Sequence, residues 1–268
     1  MTKEDTEIYD AYLCNHFVTP VLERDDTFLD TWYALYDDAC KNGASKVIND
    51  SLIPQRPVDF CDPDHITLEI YDSFAGKIPV IKVADTTDFE NLVTNVIHKG
   101  NRPENIASTG ASFAFGKSTR FIILSSKPYS NVTAAEMNLD EDDWINKSMI
   151  IRREHECNHY YTKWRYGVAM NHLHDELMAD FFGIYDAFGY FKAEYLLRFL
   201  GVIKGSGDRL KVYIPDMNDE LRTKLEDTAT VCAEFLEKWS KSDAFIGMTR
   251  CERVDYLCSL GIEGMLSE

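Results

Sequence analysis

The sequence predicts an α+β fold, a small mixed sheet followed by a mainly helical C-terminal half. Three observations predict it. Apolar residues recur at helical spacing over residues 1–50. The period then changes: over 55–130, β-branched residues alternate with polar ones or run together, as in strands. From 138 onward the helical period returns, in segments that open with acids and close with bases and glycine.

In chain order, "DTFLDTWYALYDDACKNG" places Phe28, Leu29, Trp32, Leu35 and Tyr36 on one stripe, with Gly43 as its stop. Residues 1–50 are therefore expected to form an N-terminal helical segment, separate from a second domain over 51–268. Within that domain the sheet spans 55–130, the site-bearing helices 139–187 and the remaining helices 188–268. "HITLEIYDS" and "KIPVIKVAD" read as strands. "DTTDFENLVTNVIHKG" reads as a helix, acidic at its start and ended by Gly100. "ASFAFGKSTRFIILSS" reads as two strands joined by a turn near Gly116 and Lys117. It is not a phosphate-binding loop: five residues separate Gly110 from Gly116 where that loop needs four, and a strand follows. "NLDEDDWINKSMIIRREHECNHYYTKWRYG" is a long helix ended by Gly167. "NHLHDELMADFFGIYDAFG" is the next, with Asn171 as its cap. "YFKAEYLLRFLG", "NDELRTKLEDTATVCAEFLEKWSKS" and "TRCERVDYLCSLG" supply three more.

A hydrophobic share of 45% fits a chain with a sizeable core. The net charge of −17 argues against nucleic acid or an anionic membrane as partner. The N-terminus lacks the basic and apolar regions of a signal peptide, and the longest apolar runs are as short as "FIIL". The seven cysteines are odd in number, scattered and without a CxxC pair, which argues against a disulfide framework. A cytoplasmic protein is expected. Cys251 and Cys258, seven apart, are expected as buried thiols.

The stretch with chemical content is "REHECNHYY", residues 153–161. On a helix, His155 and His159 lie one above the other and can present two imidazoles to one cation. Glu156 stands about 100° around the helix, off the metal but placed to serve as general base. That is the physical content of HExxH, which arises by chance in about one such chain in a hundred. A two-histidine zinc site needs a third protein ligand. Downstream, Glu176 and Asp180 are again four apart on one helical face. Glu176 could close the site, and Asp180 could accept the free ring N–H of a ligating histidine. Asp175 is the alternative ligand. Ala179 between them is small enough for close helix approach. Cys157 is expected in the core. His172 and His174 are further candidates, as donors to a developing oxyanion, ahead of Tyr160, Tyr161 and Tyr166.

This pairing resembles the gluzincin zinc metallopeptidases, which join HExxH on one helix to a Glu-x-x-x-Asp on a later one. The matching residues are His155, Glu156, His159, Glu176 and Asp180, and the resemblance covers about residues 150–185. It implies a zincin-like fold, with an edge strand from 105–126 lining a cleft. It also implies zinc as cofactor and a peptide or protein as substrate, with zinc-activated water attacking a carbonyl. Arg153 departs from the pattern, since that position is usually uncharged. The sixteen residues between His159 and Glu176 are a short gap for the family. "TGASFAFGK", "REHECNHY" and "DELMADF" also resemble an uncharacterised bacterial family, which implies no activity. The rival expectation is a non-catalytic, metal-stabilised binding or regulatory protein on the same scaffold.

Overall fold

The computed structural model describes residues 2–268 apart from Thr19, 21–23, 117–119, 170–171 and 214–216. Among the described residues the architecture is mixed α and β, with one four-stranded sheet and a helical C-terminal half. Contacts divide the chain into two compact units, Met1–Arg24 with Pro128–Glu268, and Asp25–Lys127. Helix α1 (Lys3–Leu13) belongs to the first. Residues 25–50 fold with the sheet, so the helical segment expected over 1–50 is shared between the units.

In the sheet-bearing unit, α2 (Leu29–Asn42) ends at Gly43, whose φ of 88° suits glycine, and α3 (Ala44–Val47) runs into a π-helical turn. Phe28, Leu29 and Trp32 are buried as the stripe predicts, but Tyr36 is exposed. Strands β1 (Ile66–Ser73) and β2 (Gly76–Val83) form an antiparallel hairpin. Helix α4 (Thr86–Val96), capped by the Asp85 carboxylate, crosses over to a parallel partner. Strands β3 (Ala111–Phe115) and β4 (Arg120–Ser125) form a second antiparallel hairpin, and β4 pairs in parallel with β2. The order is β1-β2-β4-β3, with β3 at an edge. Lys117, expected in its turn, lies outside the described residues. Trp32, Ile81, Val83, Phe89, Leu92, Phe121 and Ile123 make the core of this unit.

The other unit is helical. After α5 (Ala134–Met137) comes α6 (Glu141–Tyr166), the longest helix described. The Asp140 carboxylate accepts the Asp143 N–H at its start, and Gly167 ends it with φ of 75°. Then follow α7 (Leu173–Phe188), α8 (Ala193–Leu200), the short α9 (Arg209–Tyr213), α10 (Asp219–Trp239), α11 (Asp243–Gly247) and α12 (Arg250–Ser267). The N-cap place of α7 is taken by His172; Asn171 lies outside the described residues. Helix α12 runs beyond the segment "TRCERVDYLCSLG", continuing through a kink at Gly261. Cys258 is buried, but Cys251 is only half-buried. Among the described residues no helix is long and apolar enough to cross a membrane.

What positions the site is the pairing of α6 with α7. Gly183 makes it close: a Cβ there would lie 2.6 Å from the Ile151 carbonyl oxygen. Ala179, the small residue singled out from sequence, is fully buried one turn earlier.

Candidate metal centre

Helix α6 buries Arg152, Glu154, His155, Asn158, His159 and Thr162, and α7 buries Asp175, Glu176 and Asp180. Charged groups persist in an interior when they are paired or hold a cation. Their arrangement here is ordered. His155 Nδ1–H donates to Asp180 Oδ1 at 2.8 Å, and His159 Nδ1–H donates to Asp175 Oδ2 at 3.0 Å. Each ring therefore spends its proton on a carboxylate, and the neutral tautomer leaves a bare Nε2. The two Nε2 atoms face each other at 3.0 Å. Glu176 brings Oε2 to 3.5 Å from His155 Nε2 and Oε1 to 3.6 Å from His159 Nε2.

Two bare nitrogens and a carboxylate do not converge at such distances unless a cation lies among them or a ring takes a second proton. A tetrahedral ion at the usual zinc–nitrogen distance of 2.0–2.1 Å sets its ligand atoms roughly 3.3 Å apart. The separations of 3.0, 3.5 and 3.6 Å lie near that value, the last two to different oxygens of Glu176, and one ligand atom from each residue falls within 4.8 Å of the others, so the residues fit a zinc ion. The proton alternative is also written in the site. Burial opposes a charge on His159, but the carboxylates of Asp175, Glu176 and Glu156 outweigh it and raise its pKa to about 10. Proton and divalent cation thus compete for one place.

The sequence-derived residues separate into those the structure brings together and those it does not. His155, His159 and Glu176 form a group able to hold an ion. Asp180 lies on the far ring nitrogen of His155, and Asp175 on that of His159, away from the converging Nε2 atoms. Glu156 is half-buried, and among the described residues it has no hydrogen bond or ion pair. Its charge is felt at His159 and Arg152. Cys157 is fully buried. Arg153 pairs with the buried Glu154 at 3.0 Å, which accounts for the charge that the zinc pattern leaves unexplained.

His172 and His174 are not drawn into the group. The His172 ring stacks on His16, centroids 4.5 Å apart. His174 Nε2–H donates to the Leu257 carbonyl at 2.9 Å, and burial pushes its pKa down to about 4. Tyr161 and Tyr166 donate to Asp255 on α12, at 2.9 and 2.8 Å. Tyr160 is buried.

Two residues of the site carry no signal in the HExxH pattern. Tyr129, in a 3-10 turn before α5, donates to Asp180 Oδ1 at 2.5 Å and lies 3.1 Å from His155 Nδ1. Arg209, at the start of α9, reaches across two carboxylates. Its Nη1 donates to Asp180 Oδ1 and Oδ2 at 2.7 and 2.8 Å, and to the Tyr129 oxygen at 2.7 Å. Its Nη2 donates to Glu176 Oε2 at 2.7 Å. These partners hold Asp180 well below the usual carboxylate range although burial works the other way. Asp180 stays a carboxylate, as an acceptor of the His155 N–H must.

The family model described as "Family of unknown function (DUF7005)" matches residues 34–120 and 117–267. The chain belongs to this family. The second DUF7005 segment contains Tyr129, His155, Glu156, His159, Asp175, Glu176, Asp180 and Arg209. No curated protein and no solved structure matches the chain.

A second cluster, Cys61 with Asp85 and Asp88, also has donor atoms close together. Its carboxylates are spent on the backbone. Asp85 caps α4, and Asp88 accepts the N–H groups of Cys61 and Asp62, both at 2.8 Å.

Proposed function

We propose that the chain is a zinc-dependent hydrolase, peptidase-like, on a zincin-like scaffold related in arrangement to the gluzincins. The observation that carries the reading is the convergence of His155 Nε2, His159 Nε2 and Glu176 while both Nδ1 atoms are committed to aspartates. A zinc ion held by those three residues supplies Lewis acidity, acidifying water and polarising a carbonyl oxygen. The chain's own residues do the remainder. Glu156 takes a proton from water on its carboxylate and returns it to the leaving nitrogen. Asp180 and Asp175 fix the tautomer and plane of the two rings. Tyr129 and Arg209 hold Asp180 in place. A peptide or protein is the substrate class proposed, and the cytoplasm the place of action.

A structural, non-catalytic metal is the second reading, favoured by the burial of all three ligand residues. Glu156 separates the two. Elemental analysis of the purified chain is expected to give one zinc per molecule, lost in His155→Ala. Glu156→Gln is expected to keep the zinc and lose hydrolysis of a fluorogenic peptide library by at least about 100-fold. Zinc bound equally by His155→Ala defeats the site. Hydrolysis undiminished by Glu156→Gln, with zinc retained, defeats the enzyme.

A further inference from the structure

We propose that α1 and the residues after it, 3–17, form a lid over the metal centre that opens to let a substrate reach it. The inference rests on the metal reading above and adds the route in. His155, His159 and Glu176 are only 6, 9 and 3% exposed. A reacting group cannot reach a metal held among them until some element moves.

Two observations single out the N-terminal segment. The first is where it lies. The Tyr12 ring meets the His172 ring edge-on, centroids 5.7 Å apart, and His16 stacks on that same ring. The His172 carbonyl accepts the Glu176 N–H at 3.0 Å, so the segment rests on the first turn of α7, where Glu176 sits. Burial, and then the Glu176 carboxylate, push the Tyr12 hydroxyl above its ordinary pKa, while Arg209 works the other way. Tyr12 thus lies within the field of the carboxylate ligand and its arginine. Phe17 continues the cover over Tyr166 and His174, centroids 5.6 and 5.2 Å away.

The second is how lightly it is held. Three of the eleven α1 residues are buried, against thirteen of sixteen in α7. Segments with few buried contacts open before the rest of a fold. Its polar ties to α10 and α12 include Tyr9 with Thr228, Asn218 to Asp5 and Asn15 to the Cys258 carbonyl, at 2.7, 2.7 and 2.8 Å. Its closed position also carries a cost. Nε2 of His16 and both ring nitrogens of His172 are buried, and among the described residues they have no hydrogen-bond partner. A neutral imidazole offers one N–H and one lone pair, and burying them unpaired forfeits their bonds to water. Opening returns that loss, whereas a cover that stays shut is better served by apolar rings at these two places.

The test uses the full chain loaded with zinc, as wild type, Asn15→Ala and His16→Phe, with far-ultraviolet circular dichroism to check folding. Asn15→Ala removes the tie to α12 and the bond to the Phe17 N–H. His16→Phe keeps a stacked ring and removes an unpaired buried nitrogen. Two rates are read, amide hydrogen exchange along the chain and capture of bound zinc by excess chelator. The amides of α1 are expected to exchange together, ahead of those of α6 and α7. Asn15→Ala is expected to speed both α1 exchange and zinc capture about fivefold or more, and His16→Phe to slow both by a similar factor, with exchange in α6 and α7 unchanged. Exchange of α1 only in step with α6 and α7 overturns the lid and leaves the metal reading standing, and so does zinc capture at one rate in all three proteins. If Asn15→Ala does not fold, His16→Phe decides alone. Wild type that takes up no zinc, or takes up as much after His155→Ala, overturns the metal reading and this inference with it.

Discussion

At the scale of single residues, the centre is a set of buried charges whose protons are assigned by their neighbours. Asp180→Asn illustrates the dependence. The amide cannot accept from His155 and from Arg209 as the carboxylate does, so zinc affinity is expected to fall about 10–100-fold, measured by competition with a chelator. The His155, His159, Glu176 and Asp180 positions were legible in the sequence because both pairs are four apart, and helical periodicity alone puts such pairs on one face. Tyr129 and Arg209 were not legible. They come from a short turn and a five-residue helix, and they meet Asp180 from 51 and 29 positions away. No local period encodes such an encounter. Nearness in sequence to Glu176 singled out His172 and His174, but that signal does not encode their contacts: one ring stacks on His16 and the other is bonded to Leu257.

At the scale of elements, the decisive contact is that of α6 on α7. Gly183→Ala places a methyl group against the Ile151 carbonyl, and the helices must separate by some tenths of an ångström. A stability loss of about 1–3 kcal/mol is expected from urea titration, together with weaker zinc binding. The segment before Arg209 gives a second element-scale prediction. Backbone hydrogen bonds from Thr133, reinforced by those from Ser206, hold the Glu136 carboxyl at about 2, against 4.5 ordinarily. A carboxyl so lowered contributes its stability in full above pH 4.5 and loses it as the pH falls from 4.5 through 2. Melts of wild type and Glu136→Gln should therefore differ at pH 6 and converge as the pH is lowered below 4. The amide of Ser206 should exchange faster in the variant at pH 6. The principal helices and the four strands were readable from period, caps and glycines. The α9 helix was not, because five residues in a glycine-rich stretch carry too little periodicity to stand out.

At the scale of the whole molecule, 17 excess negative charges repel one another in the compact state. Screening should raise the melting temperature between 10 and 150 mM sodium chloride in the presence of chelator. Zinc should act far more strongly, adding about 4 kcal/mol when free metal exceeds the dissociation constant a thousandfold, measured as the shift of the melting transition. Composition told the class of chain, and the order of periods told which half holds the sheet. It did not tell that the helical unit is assembled from both ends of the sequence, because contacts between distant segments leave no trace in local pattern. That interruption has a consequence for the way the chain is made. Residues 25–127, which hold the four described strands, are complete while the ribosome still holds the partners of α1. The Tyr9 hydroxyl must wait for Thr228, and Asp5 for Asn218, before their bonds of 2.7 Å can close. The sheet-bearing unit is thus placed to fold during synthesis, and α1, which emerges before it, docks only after α10 has been made.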